Sequence, residues 1–120
     1  MRVYFTRDSV CAADDVHAPH QKQIVIEDGA NVQAILTHIY RSGYLPLISG
    51  GKATWSVASR IPLAVIAQER AMLKMLSQFE VSMNGLDTQE DLIRIHFSYH
   101  AQEDPDVVYN ILRELRLTAQ

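Results

Sequence analysis

The chain holds a single cysteine, Cys11, in 120 residues, so no disulfide framework can staple it. No Asn-x-Ser/Thr site occurs. The longest apolar run is the seven residues from Ile61 to Ala67, against roughly 20 needed to cross a bilayer. The opening Met-Arg-Val-Tyr-Phe-Thr-Arg-Asp lacks the apolar core of a signal peptide. These absences lead to the expectation of a reducing, cytoplasmic setting and no membrane partner. Cofactor and protease fingerprints are missing too. Gly50-Gly51-Lys52-Ala53-Thr54 has the look of a phosphate loop, but position 46 is Pro46 where a glycine is needed, and Ala53 stands where Ser/Thr must follow the lysine. There is no HExxH pair, no glycine-rich dinucleotide motif and no Ser–His–Asp spacing.

What is present is an ordinary globular composition. Apolar residues make up 48%, inside the roughly 45–50% of folded domains, and 120 residues suit one domain spanning 1–120. Net charge is −3, which makes a nucleic-acid partner unexpected. The charge is unevenly spread: residues 1–40 sum to −2, 41–79 to +4, 80–106 to −6 and the tail to +1. A split of this kind steers an oppositely charged partner, unless the acids simply face solvent.

Hydropathy period supplies the elements. Val3 and Phe5 alternate with Tyr4 in a strand over 2–7, and Ile24 and Ile26 mark a second strand. Asp28 is placed to cap a helix over 29–42, striped by Val32, Ile35, Leu36, Ile39 and Tyr40 and stopped at Gly43. Thr54–Ser59 and Leu63–Gln68 read as a hairpin. Of Trp55 and Val57, one is expected to face outward. Met72, Met75, Leu76 and Phe79 fall at helical spacing and predict a short helix over 69–78. Phe79, Val81 and Met83 then alternate before the Asn84-Gly85 turn. In residues 93–99, Ile93, Ile95, Phe97 and Tyr99 share one face, while Arg94, His96, Ser98 and His100 share the other. Asp104-Pro105-Asp106 starts a last helix over 105–116. Val107, Val108, Ile111, Leu112 and Leu115 are its expected buried stripe.

The order β-β-α-β-β-α-β-β-α predicts an α+β domain: a largely antiparallel sheet with helices packed on one face, the first and last of them on the same face. Its first half, β-β-α-β-β, resembles the order of β-grasp (ubiquitin-like) folds. The sequence closes on Leu117-Thr118-Ala119-Gln120 without a Gly-Gly tail, so a conjugating or sulfur-carrier role is not expected.

Two regions concentrate chemistry. Cys11, Asp14, Asp15, His17 and His20 crowd one loop; Cys11, Asp14, His17 and His20 are the zinc-ligand candidates there, and Cys11 with either histidine is a nucleophile–base candidate. No second Cys or His pair at finger-like spacing supports the zinc reading, and no other cofactor is expected. The second region is the polar strand face Arg94, His96, Ser98, with acids Asp87, Glu90 and Asp91 before it. Same-face strand neighbours lie roughly 6.6–6.8 Å apart, so His96 and His100 stand too far apart to share an ion. This region is the candidate partner-binding surface. The leading expectation is a non-enzymatic protein-interaction module, in its concrete form an inhibitor or immunity-type protein. Its acidic surface would cover the basic site of a partner such as a nuclease toxin. The alternative is a small metal- or thiol-dependent enzyme using the Cys11–His20 loop.

Overall fold

The computed structural model describes residues 1–10, 20–46, 51–76 and 85–119. Cys11, Asp14, Asp15, His17 and the strand expected over Phe79–Met83 lie outside the described residues. The elements run β1 (Arg2–Arg7), β2 (Lys22–Val25), α1 (Val32–Arg41), β3 (Thr54–Ser59), β4 (Ile61–Ala67), β5 (Met72–Met75), β6 (Thr88–Gln89), β7 (Leu92–Tyr99) and α2 (Pro105–Ala119). The strands form a mixed sheet ordered β2-β1-β7-β3-β4-β5, with β6 joined to β7. Only β1 and β7 pair in parallel, Val3 opposite Ile93 and Phe5 opposite Ile95. Every other ladder among the described residues is antiparallel. The architecture is α+β, and its first five elements keep the β-β-α-β-β order on which the β-grasp likeness rests.

Within the expected helix over 69–78, Met72–Met75 form the strand β5 instead, and residues 77–78 lie outside the described residues. Gln68 to Ala71 make a tight turn, with Arg70 N–H donating to the Ala67 carbonyl and Ala71 N–H to that of Gln68. Ala71 takes the left-handed conformation at φ +47°. The chain therefore folds back along β4, Ala64 opposite Met75 and Ile66 opposite Leu73. A ladder made with the preceding strand outweighs a helical spacing of a few apolar residues.

The sheet has two unlike faces. On one, Val3, Phe5, Trp55, Val57, Ala64, Ile66, Ile93, Ile95 and Phe97 form the core with the α1 residues Val32, Ile35, Leu36 and Ile39. Trp55 and Val57 are both buried there; two residues apart on a strand, they share a side. Asn31, not Asp28, caps α1, its side chain accepting from Ala34 N–H at 2.8 Å. Gly43 follows at φ +79°, the conformation glycine adopts without strain.

α2 lies against the opposite face. Val65, directed away from the α1 core, pairs with Lys74. The Lys74 ammonium stands 4.1 Å from the centre of the Tyr109 ring, and Tyr109 donates to the Met75 carbonyl. The expectation of both helices on one face is therefore incorrect: one helix covers each face. The β4 run is apolar on consecutive residues because it is covered from both sides.

Candidate functional site

Among the described residues, α2 packs against the β4–β5 side of its face. Three large α2 side chains expected in the core are exposed instead: Val107 (51%), Ile111 (56%) and Leu115 (56%). Only Val108 of that stripe is fully buried, and Leu112 is half-buried. The helix start explains the orientation. Asp104 caps it by accepting from Asp106 N–H at 2.9 Å. Asp106 then turns to Arg70 in the β4–β5 turn, with nitrogen–oxygen distances of 2.9 and 3.2 Å. That bidentate contact holds the Asp106 carboxyl below its ordinary range and raises the Arg70 guanidinium. Asp106 and Tyr109 thus mark the β5 flank of α2. At about 100° per residue, Val107, Ile111 and Leu115 emerge on the other flank, toward β3 and β7. They leave an exposed apolar line along that flank of α2.

The β1–β7 part of the same sheet face is polar and internally bonded. In β1, Thr6 stands opposite His96 of β7. The Thr6 hydroxyl lies 2.7 Å from His96 Nδ1, and Asp8 Oδ1 lies 2.8 Å from His96 Nε2. The other Asp8 oxygen accepts from Tyr99 N–H at 2.9 Å. An acceptor carboxylate at Nε2 places the ring proton there, so the neutral imidazole offers Nδ1 as acceptor to the Thr6 hydroxyl. Ser56 and His100 make a second hydroxyl–imidazole pair at 2.7 Å. Ser98 stands opposite Ser56, half-buried between the two histidines. His96 and Asp8 each keep 43% of their side-chain surface open, so this face is reachable from solvent.

The remaining expected docking residues sit at the start of β7. Arg94 reaches Asp87 at 4.0 Å and Gln89 at 3.3 Å. Glu90, at φ +57°, and Asp91 form the β6–β7 turn. The fold adds an acid that the sequence leaves far away: Asp28 joins Asp91 around the Met1 amine, at 3.1 and 3.6 Å. Those two carboxylates raise the amine's proton affinity, yet they stay 90% and 70% exposed. Of the expected set, Arg94, His96 and Ser98 lie along β7, while Asp87, Glu90 and Asp91 flank β6 just before it.

Of the zinc-candidate loop, His20 is described. It adopts φ +58°, its Nε2 lies 3.2 Å from the Ser9 hydroxyl, and its carbonyl accepts from Tyr44. Among the described residues, no three His, Cys, Asp or Glu side chains are grouped as a metal ion would require. No described helix is long and apolar enough to cross a membrane. Sequence reasoning missed Thr6, Asp8 and Ser56, because their roles depend on which strands become neighbours. The α2 flank was visible as a stripe, but not as an exposed one. No family model, curated protein or solved structure matches the chain.

Proposed function

We propose that the protein is an interaction module that binds another protein along the exposed flank of α2 and the polar face of β7. The observation that carries this reading is the line of Val107, Ile111 and Leu115, left exposed on the same side of the sheet as the polar face of β7. Grouped exposed apolar side chains mark contact surfaces, whereas scattered ones do not. Acids lie at both ends of β7: Asp28, Asp87, Glu90 and Asp91 at one, Glu103 and Asp104 at the other. This arrangement suits a partner with an apolar ridge and basic flanks. In its concrete form the partner is a basic enzyme such as a nuclease toxin, and the protein acts as an inhibitor or immunity-type protein by covering that enzyme's basic site.

Capture from the source cell, followed by stopped-flow kinetics on the captured partner, tests the reading. Ile111→Glu should abolish capture while leaving the fold intact. Asp87→Asn/Glu90→Gln/Asp91→Asn should slow association at low salt and flatten its salt dependence, since rim charges act mainly on the on-rate. Equal capture by the Ile111 variant rules out the α2 flank, and an unchanged on-rate in the triple variant reduces the acids to a solvated face. The enzyme alternative through Cys11, His17 and His20 is decided by elemental analysis: stoichiometric zinc in purified protein favours it over a pure binding role.

A further inference from the structure

The sheet ends at β2, and among the described residues no strand pairs with its outer edge. The ladder to β1 decides which backbone groups face that edge. Met1 and Ile26 exchange both of their bonds: the Ile26 N–H donates to the Met1 carbonyl at 2.8 Å, and the Met1 amine donates to the Ile26 carbonyl at 3.0 Å. In an antiparallel ladder, bonded and non-bonded positions alternate. Ile24 with Val3 and Lys22 with Phe5 are therefore the other bonded pairs of this register. Gln23 and Val25 turn their N–H and C=O groups away from β1, toward the outer edge.

Such an edge is a template for another strand, and proteins blunt it with a proline, a bulge or a charge in mid-strand. β2 has none of these: its register is unbroken, and between Lys22 and Glu27 the sequence reads Gln-Ile-Val-Ile. Val25 is 79% exposed. Ile24 and Ile26 turn to the α1 side, half-buried against the core. Along the edge on that side lies a hollow of about 290 Å³, lined by Val25, Ile26, Glu27, Ala30, Ala34 and His38.

The stretch Lys22-Gln23-Ile24-Val25-Ile26-Glu27-Asp28 is complementary to its own reverse. Laid antiparallel on a second copy and centred on Val25, it sets Lys22 opposite the partner's Asp28 and Ile24 opposite the partner's Ile26. Val25 then meets the partner's Val25, and the outward backbone groups of the two form a bonded pair. Sliding one copy by two residues in either direction sets a charge against an isoleucine. Asp28 holds the Met1 amine yet stays 90% exposed, so it is open to a second cation. We infer that two copies of the chain join edge to edge through β2, antiparallel about a two-fold axis at Val25, with the partner's Ile24 seated in the hollow beside Ala30 and Ala34. A contact of this kind uses the same patch on both copies and closes at two. It is independent of the docking reading, because β2 stands at the opposite end of the sheet from the β4–β5 side that α2 covers.

Sedimentation velocity on the full chain, from about 1 to 300 μM, should show monomer passing to dimer. Val25→Pro removes an N–H that β1 does not use, so the ladder survives. It should weaken self-association roughly tenfold or more, because two backbone bonds across the axis are lost. Val25→Lys leaves the backbone intact, sets like charges across the axis and should weaken the dimer as well. Ile111→Glu should dimerise as the parent does. In a Cys11→Ser background, mild oxidation should cross-link Val25→Cys, whose α-carbons would stand roughly 5.5 Å apart across the axis. Gln23→Cys should stay uncross-linked, because its opposite number is the partner's Glu27. A parent that is monomeric throughout the range overturns the inference, as does a dimer that survives both Val25 variants. Cross-linking at Gln23 in place of Val25 overturns the register.

Discussion

The Ser59 hydroxyl, at the end of β3, ties that strand both to its neighbour β7 and to the residue before β6. It donates to the Arg94 carbonyl at 2.5 Å and accepts from Asp87 N–H at 2.9 Å, and the residue is 2% exposed. Ser59→Ala would leave both backbone groups short of a partner, and denaturant unfolding should register a loss of about 1–3 kcal/mol. Tyr44 carries a different liability. Its ring meets Phe5 edge-on, with centroids 4.6 Å apart, and its hydroxyl donates to the His20 carbonyl at 2.6 Å. Burial pushes its pKa up to about 12, while Arg7 pulls the other way. An acid whose folded pKa exceeds its unfolded value stabilises the fold fully below the unfolded value, here near 10. That stabilisation is lost as pH rises toward 12. Melting temperature should fall across this window in the parent, whereas Tyr44→Phe should lack that slope. Asp106 has the opposite sign. Its carboxyl is lowered by Arg70, so the pair helps above the ordinary aspartate range and stops helping as pH falls below it. Asp106→Asn should remove that part of the acid limb without changing the alkaline one.

The two helices show how far a local period can be read. Leu36 is 0% exposed in α1, and Leu36→Ala should cost about 2–5 kcal/mol, the range for a core leucine. Leu112 is half-buried in α2, so Leu112→Ala should cost about 1–2 kcal/mol. Near-equal losses in paired urea titrations would mean that α2 is seated more deeply than described here. Both helices were legible from their spacing and α2 also from its start, because period and capping are properties of neighbouring residues; the α1 cap is Asn31 instead of the expected Asp28. Which side of α2 meets the sheet was not legible. Val107 and Val108 are equally apolar, and the choice between them is made by Arg70, Lys74 and Met75 on other elements. For the same reason Met72–Met75 reads as helix in isolation but becomes a strand once β4 offers a ladder. Arg94, His96 and Ser98 were correctly placed on one polar face, yet the bond from His96 to Thr6 depends on a parallel register that no local pattern encodes.

At the scale of the whole molecule the sheet separates two environments. One side holds the core with Tyr44 against Phe5 and Phe97; the other holds the polar face and the α2 flank. Changes on one side should leave the other unaffected, so Ile111→Glu should not alter the alkaline melting slope set by Tyr44, and Tyr44→Phe should not alter partner capture. The central ladder also bears on how the chain is made. Val3 pairs with Ile93, and the sheet cannot close across its middle until β7 has been synthesised. Until then, β1 can pair only with β2, and its other edge is bare. Pairing across so long a stretch is slow relative to local contacts, and an unpaired apolar edge invites association with other chains. A nascent chain halted before Leu92 should therefore be recovered bound to holdase chaperones or in aggregates, whereas one released after Tyr99 should already contain the closed sheet, needing only α2 to cover Val65.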